Sequence, residues 1–159
     1  MCRYLILTML IVSAKDLYGY VMCYRDTKLP EFLEQARKIE NYLFTHSNMP
    51  EDLVPYWDFN APDIPNAPRD ASAAAIIASA LYELSAYIPE KSKDYITKAD
   101  KIIESLASPA YRSPLHENRG FLLTRSTGHL PHGYEIEKPL VYADYYFIEA
   151  LLRKKALNN

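Results

Sequence analysis

Three neighbouring side chains could bind a ligand by ring stacking and hydrogen bonds. Trp57 offers an aromatic face, and Asp58 and Asn60 offer hydrogen-bonding groups, within a segment (47–69) whose five prolines exclude a helix. Long irregular segments are uncommon in compact domains and are often functional. We therefore predict ligand contact by these three residues. The alternative is that they only fix the segment to the rest of the fold.

A second irregular segment, 109–139, carries His129 and His132. Two histidines alone do not complete the ligand set of a metal ion. The two cysteines of the chain, Cys2 and Cys23, form neither a CxxC motif nor a disulfide framework. We accordingly expect neither a metal site nor a cofactor.

Length and charge limit the class of protein. A chain of 159 residues suits one domain, and 49% hydrophobic with 24% charged residues is typical of a folded globular protein. Its 18 Lys and Arg against 20 Asp and Glu leave a net charge of −2. A generic binder of nucleic acid would be more basic, so we expect no nucleic-acid partner.

The first 14 residues differ from the rest of the chain. Arg3 precedes an apolar run at 4–12 and then two small residues, a pattern typical of a short signal peptide. The run is too short to span a membrane as a helix, and we expect no membrane partner. It could instead be a buried helix, or a start that is foreign to the ancestral fold. We treat 1–14 as a separate segment and 15–159 as the folded domain.

The domain repeats itself with an offset of 63 residues. Amphipathic helices are predicted at 31–45 and 94–106, and their apolar positions fall in register. The matching positions are Ala36 and Ala99, Ile39 and Ile102, and Leu43 and Leu106. Repetition of this kind indicates stacked helical hairpins.

Between the amphipathic helices lie helices that are poor in charge, predicted at 16–24, 71–87 and 141–152. A helix that is apolar or small on all sides is buried on all sides, so these three form an inner layer. Asp70 is placed to cap the second of them, and 121–124 could form a short strand. Both long segments precede inner helices, which puts them on one rim at helix N-termini and favours an anionic, carboxylate-bearing ligand.

Several strings in this order and spacing resemble glycoside hydrolase family eighty-eight, the unsaturated glucuronyl hydrolases. The resemblance covers about residues 17–157 and corresponds to the C-terminal part of that family. The strings are LYGY (17–20), YWDFNAP (56–62), RDASAAA (69–75) and YADYYFIEALLR (142–153).

The resemblance implies an all-α fold, the (α/α)6 toroid of twelve helices. Five predicted helices, with the apolar run as a forward extension, cannot fill that ring. We therefore expect helical hairpins forming roughly half of the toroid, with two long irregular loops. Residues 15–159 would be the C-terminal half of the domain.

The resemblance also implies a reaction, the addition of water across the C4=C5 bond of an unsaturated uronic acid at the end of an oligosaccharide. In the family an aspartic acid of the N-terminal half supplies the proton, and no position here matches it, so the catalytic residues are unknown. Relatives carry Arg-Gly-Gln-Ala-Trp where residues 11–15 read Ile-Val-Ser-Ala-Lys. We expect a truncated family member that lacks activity by itself. The alternatives are a helical-repeat scaffold without chemistry and a fragment of a related unsaturated rhamnogalacturonyl hydrolase.

The site residues follow from the same comparison. His129, His132 and Tyr134 match a family stretch that approaches the substrate, and we predict that they contact the sugar or its leaving group. We expect Asp144 to be a buried structural acceptor. The expected partners are an unsaturated uronyl oligosaccharide and, over the open inner surface, either a homo-oligomer or the missing N-terminal half. A bacterial source and a location in the cytoplasm or periplasm are implied.

Overall fold

The computed structural model describes residues 9–128 and 130–157, and this part of the chain is helical. Five α-helices contain most of these residues, and three single turns of 3-10 helix lie between them, at Pro89–Lys91, Asn118–Gly120 and Leu130–His132. The five are α1 (Leu10–Thr27), α2 (Pro30–Thr45), α3 (Ala71–Leu84), α4 (Ser92–Ala107) and α5 (Val141–Leu157).

The five predicted helices are confirmed, while their ends differ from the predicted ones by up to six residues, at the start of α1. Helix α1 begins at Leu10, so the apolar run does extend the first helix forward, and Leu10, Ile11 and Ala14 are buried. Residues 4–8 of the run lie outside the described part, and the signal peptide stays a prediction. No helix of the described residues is long and apolar enough to cross a membrane.

The five helices form two layers, as the alternation of buried and amphipathic patterns predicts. Helix α3 packs between α1 and α5 in the inner layer, while α2 packs on α1 and α4 packs on α3 from outside. The two outer helices are joined by the buried carboxylate of Glu40 on α2. Lys98 on α4 donates to it at 2.8 Å.

Helix α3 is the centre of the core because its side chains are small. Every residue of α3 except Glu83 is buried. The Cα traces of α1 and α5 stay more than 8 Å apart within the described residues. Their long side chains nevertheless meet, since the rings of Tyr18 and Tyr146 lie 5.0 Å apart and the Tyr18 hydroxyl donates to Glu149 at 3.1 Å. Alanine and serine on α3 leave the space for this contact.

The short strand predicted at 121–124 is not formed. In its place Leu123 forms an isolated bridge with Arg112. The reason is that the N–H groups of Leu122 and Leu123 donate to the carboxylate of Asp144, at 2.8 and 3.0 Å, and are not available to a partner strand. Asp144 is thus the acceptor that we predict, although it is half-buried and not buried.

Enlarging a side chain in the middle of α3 should destabilise the whole fold. We expect Ala75→Leu to lower the free energy of unfolding by about 1–3 kcal/mol, because Ala75 is fully buried and a larger side chain must displace packed neighbours. Urea unfolding followed by circular dichroism measures this difference. Ala107→Leu, at an exposed residue of α4, is the control and should change it little. Equal effects of the two substitutions would contradict the central role of α3.

Candidate functional site

The two irregular segments meet the N-termini of the inner helices on one rim, as predicted. The first N–H group of α1, at Leu10, donates to the carbonyl of Trp57 at 2.9 Å. The first N–H group of α3, at Ala71, donates to the carbonyl of Arg125 at 2.9 Å. The end of segment 109–139 leads directly into α5 at Val141. Each segment is therefore hydrogen-bonded to the N-terminus of the inner helix that comes before the one it leads into: 47–69 to α1 and 109–139 to α3.

The segments also contact each other through a small apolar cluster. Trp57 packs with Tyr56, Ala61 and Ala67, and Leu130 from the second segment packs against this group. Residues that are more than 70 positions apart in the sequence therefore share one surface. This contact brings the histidine-bearing stretch next to the first segment.

Trp57 and Asp58 are buried where a ligand-binding role would need exposure. Trp57 is 5% exposed and Asp58 is fully buried. One carboxylate oxygen of Asp58 accepts from the N–H group of Asn60 at 2.7 Å and holds the local turn. In this structure the two residues fix the first segment to α1, which is the alternative left open above. Direct ligand contact by Trp57 and Asp58 stays a prediction.

The other predicted site residues reach solvent. Asn60, His132 and Tyr134 are exposed, and the rings of His132 and Tyr134 lie 6.1 Å apart. His129 lies outside the described residues. Asn60, His132 and Tyr134 are thus exposed at the rim, and their contact with a ligand stays a prediction.

Asp70 occupies the N-terminus of α3. One of its carboxylate oxygens accepts from the N–H groups of Ser72 and Ala73, at 3.0 and 3.3 Å, which confirms the predicted cap. The same oxygen accepts from the N–H group of Thr127 at 3.3 Å and so links α3 to the second segment. We expected the N-termini of the inner helices to favour an anionic ligand. At α3 the carboxylate of Asp70 already binds the N–H groups that such a ligand would use.

Burial makes this carboxylate costly to ionise. Asp70 is fully buried, and its second oxygen, Oδ2, has no hydrogen-bond partner among the described residues. Desolvation raises the pKa of Asp70 above its ordinary value, against the opposing effect of the hydrogen bonds from Ser72, Ala73 and Thr127. The rim thus contains a carboxyl group that favours its neutral form more than an exposed aspartate does.

Tyr142 lies beside this carboxyl group at the start of α5. Burial, together with the negative charge of Asp70, raises the pKa of Tyr142 to about 12. Glycine at position 128 lets the Tyr142 hydroxyl and a carboxylate oxygen of Glu135 lie close to the backbone. A Cβ there would lie 3.1 Å from the Tyr142 hydroxyl oxygen and closer still to the Glu135 oxygen. The amine of Lys15 lies 5.1 Å from the centre of the Tyr142 ring.

Sequence reasoning missed a row of polar contacts that runs across α3 below the rim. Arg153 on α5 forms ion pairs with Glu83 at 2.5 Å and Glu149 at 3.6 Å. Glu149 in turn accepts from Tyr18, and its charge adds to burial in raising the pKa of that hydroxyl to about 12. The signal was available, since Tyr142, Tyr146, Glu149 and Arg153 follow the spacing i, i+4, i+7 and i+11 on one face of a helix.

Arg69 has a structural place. It pairs with Asp52 and donates to the carbonyl of Val54 at 2.9 Å, and its guanidinium lies 5.0 Å from the centre of the Tyr56 ring. These contacts hold Arg69 against its own segment. Among the described residues, no three His, Cys, Asp or Glu side chains come together so that they could hold a metal ion.

Curated proteins and solved structures similar to this chain are known, although no protein-family model matches it. An unsaturated glucuronyl hydrolase of Formosa agariphila is 49% identical over 145 residues, which are 91% of this chain and 36% of that protein. The crystal structure of an unsaturated glucuronyl hydrolase specific for heparin is 41% identical, with a TM-score of 0.93 over 96% of this chain and 41% of the other.

A third relative was crystallised with a ligand. It is a mutant unsaturated glucuronyl hydrolase of Streptococcus agalactiae complexed with dGlcA-GalNAc6S, 26% identical, with a TM-score of 0.84 over 94% of this chain and 40% of the other. Relatives of this chain thus bind unsaturated uronic oligosaccharides. This chain spans about two fifths of the length of the relatives that it matches and corresponds to their C-terminal part.

The buried carboxyl group of Asp70 should make stability depend on pH with a defined sign. Below about pH 4, the ordinary pKa of aspartate, the side chains of the wild type and of Asp70→Asn are both neutral. Because the pKa of Asp70 is raised in the fold, the wild type loses stability as the pH increases through that folded-state pKa. We expect the melting temperature of Asp70→Asn minus that of the wild type to increase from acid toward neutral pH.

Thermal melts at several pH values, followed by circular dichroism, measure this difference. Asp26→Asn is the matched control, because the hydrogen bond from Arg25 lowers the pKa of this exposed aspartate. The trend for the control should have the opposite sign and be small. A difference for Asp70→Asn that is constant or falls with pH would contradict the assignment.

Proposed function

Since the chain belongs to the unsaturated glucuronyl hydrolases, glycoside hydrolase family eighty-eight, we propose that it supplies the C-terminal part of a hydrolase that adds water across the C4=C5 bond of unsaturated uronic acids. The observation that carries this proposal is the match to a solved family member, 41% identical with a TM-score of 0.93 over 96% of the chain. The five helices are accordingly part of an (α/α)6 toroid. The comparisons favour neither the scaffold nor the rhamnogalacturonyl hydrolase.

The proposed reaction adds a proton and a hydroxide to the two carbons of an alkene. One carbon takes a proton from a carboxylic acid and the other takes the hydroxide of a water molecule, whose own proton returns to the carboxylate. The hydrated product then rearranges and releases the neighbouring sugar. The hydration therefore needs one carboxyl group that acts first as an acid and then as a base.

The aspartates near the rim do not suit this acid and base role. Asp70 is fully buried and its Oδ1 atom accepts from the N-terminus of α3 and from Thr127, while Asp144 accepts from two backbone N–H groups. Asp58 is fully buried. We infer that the proton donor belongs to the part of the enzyme that this chain does not match, and that the chain contributes binding surface.

The exposed rim residues are the best candidates for that surface. The polar groups of Asn60, His132 and Tyr134 can donate to or accept from sugar hydroxyls. Leu130, two residues before His132, is held against the Trp57 cluster, which fixes the backbone near the histidine. Binding from an anchored rim loses less entropy than binding from a mobile loop.

We propose an oligosaccharide that ends in an unsaturated uronic acid as the substrate, with heparin-derived disaccharides as the first to test. The solved relative with the highest identity quoted above is described as specific for heparin. The related proteins are bacterial, and we propose the bacterial cytoplasm or periplasm as the site of action.

A chimera tests the activity. The N-terminal part of the Formosa agariphila relative is joined to this chain in place of the matching C-terminal part, and the loss of alkene absorbance of an unsaturated heparin disaccharide is followed in the ultraviolet. We expect the chimera to hydrate the alkene and this chain alone to leave it intact. Hydration by the chain alone would place the acid and base among its own residues, and a folded but inactive chimera would contradict the proposed function.

In the same chimera we expect His132→Ala to lower kcat/KM about tenfold, the effect of one lost hydrogen bond of about 1.4 kcal/mol. The control is His116→Ala, an exposed histidine of the same segment that we do not place among the binding residues. Circular dichroism confirms that both variants fold. An equal fall of kcat/KM in both variants, or no fall in either, would contradict a contact between His132 and the substrate.

A further inference from the structure

The outer layer of the fold contains a polar hollow that shares no residue with the rim. This outer hollow has a volume of about 320 Å³ and lies between α2 and the 3-10 turn that precedes α4. It is lined by Glu34, Arg37, Lys38, Asn41 and Lys91. A hollow of this size suits a small ligand or one group of a larger ligand. Three of the five lining side chains are cations and one is a carboxylate, so the lining favours a negatively charged group.

Arg37 has the capacity to bind such a group. Its side chain is exposed, and within the described residues its guanidinium forms no hydrogen bond or ion pair. The neighbouring carboxylate of Glu34 is taken by Lys38, whose amine lies 2.8 Å away. The hydrogen bond from Lys38, with a weaker contribution from the charge of Arg37, lowers the pKa of Glu34. Arginine offers parallel N–H donors in one plane, a geometry that matches the oxygen atoms of phosphate and similar oxyanions.

Lys91 lines the outer hollow from the side of the 3-10 turn. Its side chain is 41% exposed, and its amine lies 4.0 Å from one carboxylate oxygen of the buried Glu40. That distance is too long for a hydrogen bond. The other oxygen of Glu40 accepts from Lys98 at 2.8 Å, so Lys98 is the cation that Glu40 binds directly. The N–H groups of Lys91 therefore remain able to donate to a ligand.

A buried hydroxyl group close to Lys91 lacks an acceptor. Tyr95 is fully buried, its hydroxyl has no hydrogen-bond partner among the described residues, and the amine of Lys91 lies 6.0 Å from the centre of its ring. Burial and the charge of Glu40 raise the pKa of Tyr95 to about 12, and the charge of Arg37 opposes this increase. Buried polar groups normally bind protein, water or an ion. This part of the fold thus holds a donor for which the described chain supplies no acceptor.

We propose that the outer hollow is a binding site for a tetrahedral oxyanion, with Arg37 and Lys91 as its charged donors and the amide of Asn41 as a neutral one. The donors approach from α2 and from the 3-10 turn, on two sides of the hollow. A tetrahedral anion has oxygen atoms for both sides, whereas a carboxylate presents two oxygens in one plane. The anion is either the sulfate group of a sulfated oligosaccharide or a free inorganic ion. The inference goes beyond the proposed function and does not rest on it, because neither the alkene nor the rim is involved.

Isothermal titration calorimetry of this chain tests the site with three probes. They are a sulfated heparin tetrasaccharide with a saturated non-reducing end, inorganic sulfate and inorganic phosphate. We expect one-to-one binding that weakens at least tenfold in Arg37→Gln, because hydrogen bonds between a guanidinium and an oxyanion are lost. Arg112→Gln is the matched control. It removes the same charge from an exposed arginine outside the outer hollow and should change the affinity little.

Glu34→Gln should have the opposite effect on affinity. It removes the one carboxylate that lines the outer hollow among the described residues, and it releases Lys38 to donate to the ligand. We therefore expect severalfold tighter binding, a result that damage to the fold cannot produce. Glu34 and Arg37 are both exposed, so the helical spectrum of each variant should match that of the wild type and its melting temperature should stay close.

The three probes separate the two sources of the anion. Tighter binding of the tetrasaccharide than of the free ions would identify a sulfate ester as the ligand, and equal affinities would identify the free ion. Two results would overturn the proposal. One is the absence of binding by all three probes at millimolar concentration. The other is an equal loss of affinity in Arg37→Gln and Arg112→Gln, which would mean diffuse attraction of an anion to the whole surface.

Discussion

Close packing around the small side chains of α3 is the constraint on which the rest of the structure depends. Alanine and serine let α1, α4 and α5 approach this helix from three directions, so that all its residues except Glu83 are buried. The remaining side of α3 is covered by long side chains that α1 and α5 send across it, such as Tyr18 and Tyr146. A larger residue on α3 would separate the neighbouring helices and break these contacts together.

The position of the rim also depends on α3. Asp70 caps the N-terminus of α3 and also accepts from the N–H group of Thr127, so the position of α3 sets the position of the second segment. Asp144 does the same from α5 by accepting from Leu122 and Leu123. Both carboxylates bind backbone N–H groups of the protein itself, whereas Asn60, His132 and Tyr134 are exposed at the rim.

The chain combines a well-packed interior with two unfinished edges. Inside, ion pairs such as Arg153 with Glu83 and hydrogen bonds such as Tyr18 with Glu149 are satisfied between inner helices. Outside, Val141, Tyr145 and Ile148 on α5 are exposed, and no atom of the described residues lies within 4 Å of a Cβ placed on Gly19 in α1. This contrast is what a sector of a toroid should show, since its radial contacts are internal and its lateral contacts belong to the next sector.

Local pattern determined the elements of this protein. Helical periodicity and the cap at Asp70 depend on residues a few positions apart, and the offset of 63 residues is the repetition of one such local pattern. The family resemblance depends on short strings, so all of these could be read from the sequence. The tertiary structure decided what depends on distant partners. Trp57 and Asp58 are buried because Leu10 and Leu130 meet their segment. Residues 121–124 form no strand because a carboxylate 21 positions away takes two of their N–H groups. Glu149 meets Tyr18 only because α3 between them is small. Such contacts follow from packing in three dimensions, and the spacing of residues along the chain does not specify them.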